Sequence, residues 1–330
     1  MSVMRLLLAL PDWSRSFDVT DIAESVAWAG SYDTVGRTVD FALPVDDGGL
    51  LPVIPCPMGS HVQLLADGAL RFDGTVFSRE RAAGENLMSM GAVDRGINLK
   101  SCRGSYQFQG WTPEAIAARV CADCGIQAGN LAATGVSITR KFSGTSLYQI
   151  IQTAYTLAAE QNGKRYQLRF RGAALDVVEK GFGAQTLVLK PGSNLVSAAS
   201  RESAEGLVNS VAVYDDNGQK VASRRDGEAV GLYGLMEADL RQSKDRDTDR
   251  EAQRLLEDHP VVQKVTAEAV GNPELISGSG VIVREPVTGL WGRFWILSDS
   301  HTWKNGVYRT KLTLDFRNLM DKTEAGSEKV

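Results

Sequence analysis

The clearest hydrophobic pattern in the chain lies between Trp291 and Phe316. On both sides of Asn305-Gly306, apolar and polar residues alternate with the period of two that a half-buried strand requires. Asn-Gly is the residue pair that most easily adopts the positive φ angles of a type I′ turn. The pattern therefore predicts a β-hairpin with Asn305-Gly306 at its tip.

This turn also predicts which residues of the two strands face each other across the hairpin. Counting outward gives the pairs Trp303 with Tyr308, His301 with Thr310, Asp299 with Leu312, Leu297 with Leu314 and Trp295 with Phe316. The opposite face carries Arg309, Lys311, Thr313 and Asp315. We expect the first face, which is mostly apolar and aromatic, to be buried and the second to contact water or a polar partner.

Shorter alternating runs predict further strands near both ends of the chain. Those before the middle helices are 39–43, 61–65, 70–77 and 87–93, and those nearer the C-terminal end are 208–214, 220–224, 261–270 and 280–285. Short strands at this spacing are typical of a small barrel or sandwich.

Two helices are predicted in the middle of the chain. Thr112 is placed to cap the first helix, with Pro113 at the first helical position. Ser146 and Gln149 fit a capping box at the start of the second helix, and Gly163 is placed to end it. Alternating runs at 166–170 and 175–179 then predict a hairpin, so this part of the chain is α+β.

The order of these elements predicts a β-rich α+β fold with three units and a tail. The units are 1–109 (β-rich), 110–185 (α+β) and 186–320 (β-rich), followed by a polar tail at 321–330 that we expect to be flexible. Within the last unit, residues 246–258 have one apolar side and predict a helix that lies across a sheet.

Composition narrows the functional classes. A net charge of -4 over 330 residues disfavours a duplex-binding protein. Four cysteines are too few for a disulfide framework and suit a reducing compartment. The opening apolar run, 6–10, is shorter than a signal sequence or a membrane span, so we expect the chain to begin in the cytoplasm.

Cys121 and Cys124 form a C-x-x-C motif on the first predicted helix. The other two cysteines, Cys56 and Cys102, stand alone, so a four-thiolate zinc site would lack its second pair. We expect Cys121 and Cys124 to be buried reduced thiols that pack as small apolar residues, with redox or metal chemistry as the alternative.

The segment Ser298-Asp299-Ser300-His301 places a carboxylate near a histidine, which is how a general base is usually oriented. The strand alternation turns Asp299 and His301 inward and both serines outward, so the segment offers this base no nucleophile. We interpret Asp299 and His301 as a structural pair bonded to each other or to backbone. His61 and His259 lie apart from them, and we assign no catalytic, metal-binding or cofactor-binding residue and no cofactor.

Six short blocks, taken together and in order, resemble one protein family. They are GTVFS (74–78), AVDRGINL (92–99), GWTPEAIAARV (110–120), FSGTSLYQII (142–151), GLVNSVAVY (206–214) and GRFWILSDSHTWKNG (292–306). The chain resembles the XkdQ/YqbQ-type hub proteins of contractile phage tails and tail-like particles. These belong with the late control protein D-like baseplate hubs, and the family is also similar to the hub module of type VI secretion spikes.

The resemblance implies two tube-like β-barrel units, at 1–109 and 186–320, with the α+β unit between them. It also implies a homotrimer whose six barrels form a ring that adapts the sixfold tail tube to the threefold spike. The implied partners are the tail tube ring, the central spike and other baseplate proteins, with DNA passing through the lumen without specific binding.

The implied role is structural rather than enzymatic, in the virion tail baseplate after assembly in the host bacterial cytoplasm. We recognise no appended lysozyme-like or LysM-like segment, so any cell-wall hydrolysis is expected to belong to a partner. The alternatives are a tail-associated cell-wall hydrolase, which needs a cleft with converging titratable groups, and a carbohydrate-binding module, which needs exposed aromatic residues.

Overall fold

The computed structural model describes residues 3–45, 54–181, 186–242 and 247–328. Over these ranges it contains 21 strands and five helices, so the strand-rich character of the chain is confirmed. The chain divides into two compact units, one formed by residues 1–198 with 266–330 and the other by 199–265. The division of the chain into two barrel units, a middle unit and a tail stays a prediction.

In chain order the strands are β1 (Met4–Ala9), β2 (Ser16–Asp18), β3 (Ser25–Ser31), β4 (Thr38–Pro44), β5 (His61–Ala66), β6 (Ala69–Glu80), β7 (Leu87–Asp94), β8 (Arg103–Trp111), β9 (Gln127–Leu131), β10 (Ile138–Ser146), β11 (Tyr166–Arg171), β12 (Ala174–Glu179), β13 (Leu187–Leu189), β14 (Leu195–Ser203), β15 (Ser210–Tyr214), β16 (Lys220–Arg225), β17 (Glu237–Arg241), β18 (Val262–Val270), β19 (Gly280–Glu285), β20 (Leu290–Lys304) and β21 (Val307–Asp315). The helices are α1 (Gly96–Ser101), α2 (Pro113–Asp123), α3 (Leu147–Asn162), α4 (Gly227–Tyr233) and α5 (Thr248–Asp258). Each of the eight alternating runs overlaps a strand, as predicted. Among the described residues, no helix is long and apolar enough to span a membrane.

One 13-stranded sheet joins strands from the two ends of the chain. Its order is β14-β18-β21-β20-β3-β4-β7-β6-β5-β1-β2, with β19 paired to β20 and β13 paired to β19. The decisive link is the antiparallel pairing of β20 with β3, which aligns 298–304 with 25–31. Over the described residues this path is open, with no closed barrel. Strands that the sequence placed in two separate β-rich units therefore belong to one hydrogen-bonded sheet.

The hairpin predicted at Asn305-Gly306 is confirmed. Asn305 and Gly306 have φ angles of 52° and 73°, the positive values that a type I′ turn requires. The turn joins β20 to β21, and three of the five predicted pairs form. They are Trp303 with Tyr308, His301 with Thr310 and Asp299 with Leu312.

A β-bulge at Leu297 shifts the hairpin register beyond Asp299. The new pairs are Ile296 with Leu314 and Trp295 with Asp315, so the predicted pairs Leu297–Leu314 and Trp295–Phe316 are wrong. The Leu297 carbonyl accepts a hydrogen bond of 2.8 Å from the Tyr32 amide, outside the hairpin, which accounts for the extra residue. As a result Phe316 is 61% exposed, and Asp315 is buried instead of facing water.

The two middle helices begin where the sequence predicted. The Thr112 side chain accepts a hydrogen bond from the Ala115 amide at 3.4 Å, and the Ser146 side chain accepts one from Gln149 at 3.2 Å. Helix α3 ends at Gly163, whose φ is 74°. Its buried side packs with α2 and with the three-stranded sheet β11-β12-β9 in one apolar core.

The unit formed by residues 199–265 has its own small sheet. Strand β15 pairs antiparallel with β16 and parallel with β17. Helix α5 contacts all three strands and buries Ala252, which confirms the prediction of a helix across a sheet. Asp247 caps this helix by accepting a hydrogen bond from the Arg250 amide at 3.1 Å.

We expected the end of the chain to be flexible from residue 321, yet residues 321–328 are hydrogen-bonded to α3 and β10. The Ala325 amide donates to the Thr153 hydroxyl at 3.1 Å, and the Ala325 carbonyl accepts from Arg140 Nε at 2.7 Å. Ser327 exchanges two backbone hydrogen bonds of 2.9 Å with Lys141. These partners satisfy the polar backbone of the segment, and residues 329 and 330 lie outside the described part.

Candidate functional site

Asp299 and His301 lie on the buried side of β20, as predicted. Both side chains are 0% accessible, and His301 Nε2 lies 3.2 Å from Asp299 Oδ2. Ser298 and Ser300 lie on the other face and are half-buried. The strand alternation therefore places the carboxylate and the imidazole together inside the protein, away from both serines.

Arg37, just before β4, completes a polar network with this pair. Its Nη1 donates to Asp299 Oδ1 at 3.2 Å, and its Nη2 contacts Asp299 Oδ2. The Ser277 amide donates to Asp299 Oδ1 at 2.6 Å, while the guanidinium carbon of Arg37 lies 4.0 Å from the centre of the Trp28 ring. Nothing near Arg37 in the sequence indicates this role, because its partner lies 262 residues later.

The charges of the network follow from burial and from Arg37. Burial raises the pKa of Asp299, but the positive charge of Arg37 and the contact with His301 lower it more, so the pKa lies below its usual range. Burial lowers the pKa of His301, and the neighbouring Asp299 only partly opposes this shift. At neutral pH the network therefore consists of a buried ion pair, Arg37 with Asp299, beside a neutral histidine.

The facing strand supplies a hydroxyl that the sequence interpretation missed. Thr310 Oγ1 lies 3.2 Å from His301 Nδ1, so hydroxyl, imidazole and carboxylate follow one another in the order of a catalytic triad. A triad needs its hydroxyl at a cleft, whereas Thr310 and His301 are 0% exposed and Asp299 is 3% exposed. The Thr310 hydroxyl also accepts from the Asn272 amide at 3.1 Å. The geometry is that of a polar network buried in the core, not of a triad whose hydroxyl opens to a cleft.

The C-x-x-C motif is only partly buried. Cys121 lies in the core between α2 and α3, and burial raises its pKa to about 12. Cys124 is half-buried, which differs from the predicted full burial, and burial raises its pKa as well. Both are free cysteines, and no group of three or more His, Cys, Asp and Glu residues over the described ranges is arranged to hold a metal ion.

Asp94 connects the backbone of Arg37 to the start of helix α1 through two hydrogen bonds. Its carboxylate accepts a hydrogen bond from the Arg37 amide and another from the Gly96 amide, each at 2.8 Å. The side chain lies in the interior, and burial raises its pKa to about 6. Asp94 and Gly96 both belong to the AVDRGINL block, which therefore encodes a buried turn that supports the network.

Because the pKa of Asp94 is higher in the folded protein than the value of about 3.9 in unfolded chains, the native state binds its proton more tightly. The ionisation of Asp94 therefore opposes folding more and more as the pH rises from about 4 to 6. We expect the free energy of unfolding of Asp94→Asn, measured relative to that of the wild type, to rise by about 2 kcal/mol as the pH increases from about 4 to 7. Urea unfolding of both proteins at the two pH values measures this, and a constant difference would contradict it.

A family model described as YQBQ-like matches residues 26–315 of the chain. The chain belongs to the YQBQ-like family. The matched range includes Arg37, Asp94, Asp299 and His301, so the whole buried network lies inside the family region. The resemblance seen in the sequence blocks is thereby confirmed.

A curated relative of this YQBQ-like chain is the phage-like element PBSX protein XkdQ of Bacillus subtilis (strain 168). The two are 25% identical over 310 residues, which cover 91% of this chain and 94% of the relative. The likeness therefore extends over nearly the full length of both proteins.

Solved structures with a similar fold include the 43 kDa tail protein of prophage MuSo2 from Shewanella oneidensis. It matches with a TM-score of 0.68 at 15% identity, covering 95% of this chain and 97% of that one. The E. coli c3393 protein, described as a component of the type VI secretion system with structural similarity to T4 bacteriophage tail proteins gp27 and gp5, matches with a TM-score of 0.53 at 10% identity. That match covers 93% of this chain and 76% of the other. At these identities the likeness shows a shared fold.

Proposed function

We propose that this YQBQ-like protein is a structural hub in the baseplate of a phage tail or tail-like contractile injection particle. The observation that carries the proposal is the family match over residues 26–315, joined to a full-length fold likeness to a prophage tail protein. The likeness to a type VI secretion component that is itself similar to tail proteins points in the same direction.

The proposed assembly is a homotrimer between the tail tube and the central spike. Each chain contributes two tube-like barrel positions, so that three chains supply the six positions that match a sixfold tube while keeping the symmetry of a threefold spike. Its neighbours are then the tube ring, the spike and other baseplate proteins. The protein assembles in the cytoplasm of the host bacterium and remains in the virion tail.

The proposed ring must let DNA slide through its lumen. Affinity for nucleic acid grows with each lysine or arginine that displaces counterions from phosphate, so a channel lining should not be strongly basic. The net charge of -4 is compatible with DNA passage without specific binding.

The proposed role is not enzymatic, and two features of the molecule support this over the alternatives. The line of hydroxyl, imidazole and carboxylate that a hydrolase would need is buried at Thr310, His301 and Asp299. Trp295, an aromatic residue that a carbohydrate-binding face on this strand would expose, is 7% exposed, whereas Trp13 and Trp291 are exposed, so only a face built on Trp295 is disfavoured. A hydrolase, if the particle has one, is then a separate protein.

Electron cryomicroscopy of the assembled particle tests the proposal. We expect three copies in a ring between the last tube ring and the spike, and a complex of matching mass when the protein is purified with those two partners. Six copies per particle, or a position on the sheath or the tail fibres, would overturn the hub assignment. Tight DNA binding that survives high salt would contradict the proposal that DNA passes through the lumen without specific binding, and it would leave the hub assignment unchanged.

A further inference from the structure

A cavity of about 590 Å³ opens beside the buried network. It is lined by residues of β3, β6 and β11 together with the segments 34–37 and 274–279. Trp28, Arg37, Gln167 and Ser277 are buried residues of this lining. The site is distinct from the Asp299–His301 pair, which does not line it.

Four arginines line the cavity, and three of them already contact a carboxylate. Arg37 contacts Asp299, Arg71 contacts Glu274, and Arg171 lies 2.9 Å from Asp176. The side chain of the fourth, Arg169, has no hydrogen-bond or ion-pair partner among the described residues. The lining therefore carries a surplus positive charge at Arg169.

Asp176 lies opposite Arg169 across the β11–β12 pair, but its oxygens contact other groups instead of the Arg169 side chain. They accept from the Asn130 amide at 2.7 Å and from Arg171 Nε at 2.9 Å. Burial lowers the pKa of Arg169; Asp176 and Glu274 oppose the shift, while the charges of Arg37 and Arg171 add to it. A second negative group near Arg169 would stabilise the charged guanidinium.

The same cavity is lined by side chains with unsatisfied buried polar atoms. Arg37 Nε, Arg71 Nε, Trp28 Nε1 and Gln167 Oε1 have no hydrogen-bond partner over the described part of the chain. Arg37 is 8% exposed and Gln167 is 5% exposed, so bulk water has little access to either side chain as a hydrogen-bond partner. Three of these four atoms are N–H donors, and buried donors normally have an acceptor.

We propose that the cavity binds an oxyanion group, a carboxylate or a phosphate, with Arg169 as the main ligand. Guanidinium groups present paired N–H donors that match carboxylate and phosphate oxygens. The surplus charge at Arg169 and the unsatisfied donors of other lining residues would both be matched by an anionic ligand. The group can come from a free phosphate ion or from an acidic side chain of a neighbouring protein, and this inference does not depend on the hub assignment.

Calorimetric titration of the purified full-length protein in chloride buffer at neutral pH tests the proposal. Inorganic phosphate and glutarate are the two probes, and the variants are Arg169→Gln and Arg169→Lys. Arg254→Gln, at an exposed arginine on α5, is the matched control. We expect wild type and control to bind alike, Arg169→Gln to bind about tenfold more weakly, and Arg169→Lys to fall between them.

Binding of phosphate alone supports a free phosphate ion as the ligand, and binding of glutarate alone supports a protein carboxylate. Binding of neither probe overturns the proposal, as does equal binding by wild type and Arg169→Gln. A melting temperature in chloride serves as a second readout that does not require binding. If Arg169→Gln melts well below wild type there, Arg169 supports the ligand-free fold, and the binding role is refuted.

Discussion

Replacing Arg37 by alanine is expected to lower the free energy of unfolding by about 3 to 5 kcal/mol. The Asp299 side chain is 0% accessible and the Arg37 side chain only 9%, so the variant leaves a buried carboxylate without its countercharge. The Ser277 amide and His301 remain near Asp299, but a neutral amide and a neutral imidazole do not replace a full positive charge. Urea unfolding at neutral pH measures the loss.

The matched control for this substitution is Arg5→Ala. Arg5 lies 2.8 Å from Asp18 in an ion pair whose side chains are 54% and 43% accessible. Water and salt screen such a pair, so its loss should cost less than about 1 kcal/mol. If both variants lose the same small amount, Asp299 does not depend on Arg37, and the interpretation of the network as a buried ion pair fails.

Local chemistry was enough to predict the hairpin near its turn. Asn305-Gly306 determines the conformation of the tip, and the period of two then determines which residues face each other. That reasoning is correct as far as Asp299. It fails at Leu297 because the bulge there depends on a hydrogen bond from Tyr32, in a loop that follows another strand, and no pattern within the hairpin encodes that contact.

The candidate site shows the same limit. The inward direction of Asp299 and His301 follows from strand alternation, and the sequence predicted it. Arg37 could not be predicted, because only the pairing of β20 with β3 and of β3 with β4 brings residues so far apart in the chain together. Arginines next to strands are exposed in most proteins, so the residue type of Arg37 did not indicate that it is buried.

One strand of the middle region, β8, lacked the pattern on which strand prediction relies. In β8 only Phe108 is buried, and polar residues occupy most of the other positions. Strand β8 pairs with β10 through two register shifts, which further disrupt alternation. The contacts of residues 321–328 were not predicted for a related reason, since they are hydrogen bonds from a polar backbone to α3 and β10.

The AVDRGINL block shows why a motif can be recognisable without being catalytic. Asp94 accepts two backbone hydrogen bonds, and the backbone of Gly96 lies against that of Gly36. Both features require a particular residue type at a buried turn next to Arg37. In this family region, the recognisable residues therefore include ones that support the fold of the network.

Gly96→Ala is expected to lower the free energy of unfolding by about 3 kcal/mol, at the upper end of typical overpacking costs. A Cβ atom on Gly96 would lie 2.5 Å from Gly36 Cα and 2.7 Å from the Gly36 nitrogen, and these backbone atoms cannot move aside as a flexible side chain could. It would also lie 2.9 Å from Asp94 Oδ1, so the turn that supports Arg37 would shift. Circular dichroism during urea unfolding measures the change.

The control is the same substitution at Gly231 in α4, where a Cβ atom would meet nothing within 4 Å. Alanine favours a helix over glycine by about 1 kcal/mol, so Gly231→Ala should be neutral or stabilising. Opposite signs for the two variants would show that backbone contact with Gly36, rather than helix propensity, determines the effect in α1. If Gly96→Ala were as stable as wild type, the two glycine backbones would not be in close contact, and the buried turn beside Arg37 would have to be built differently.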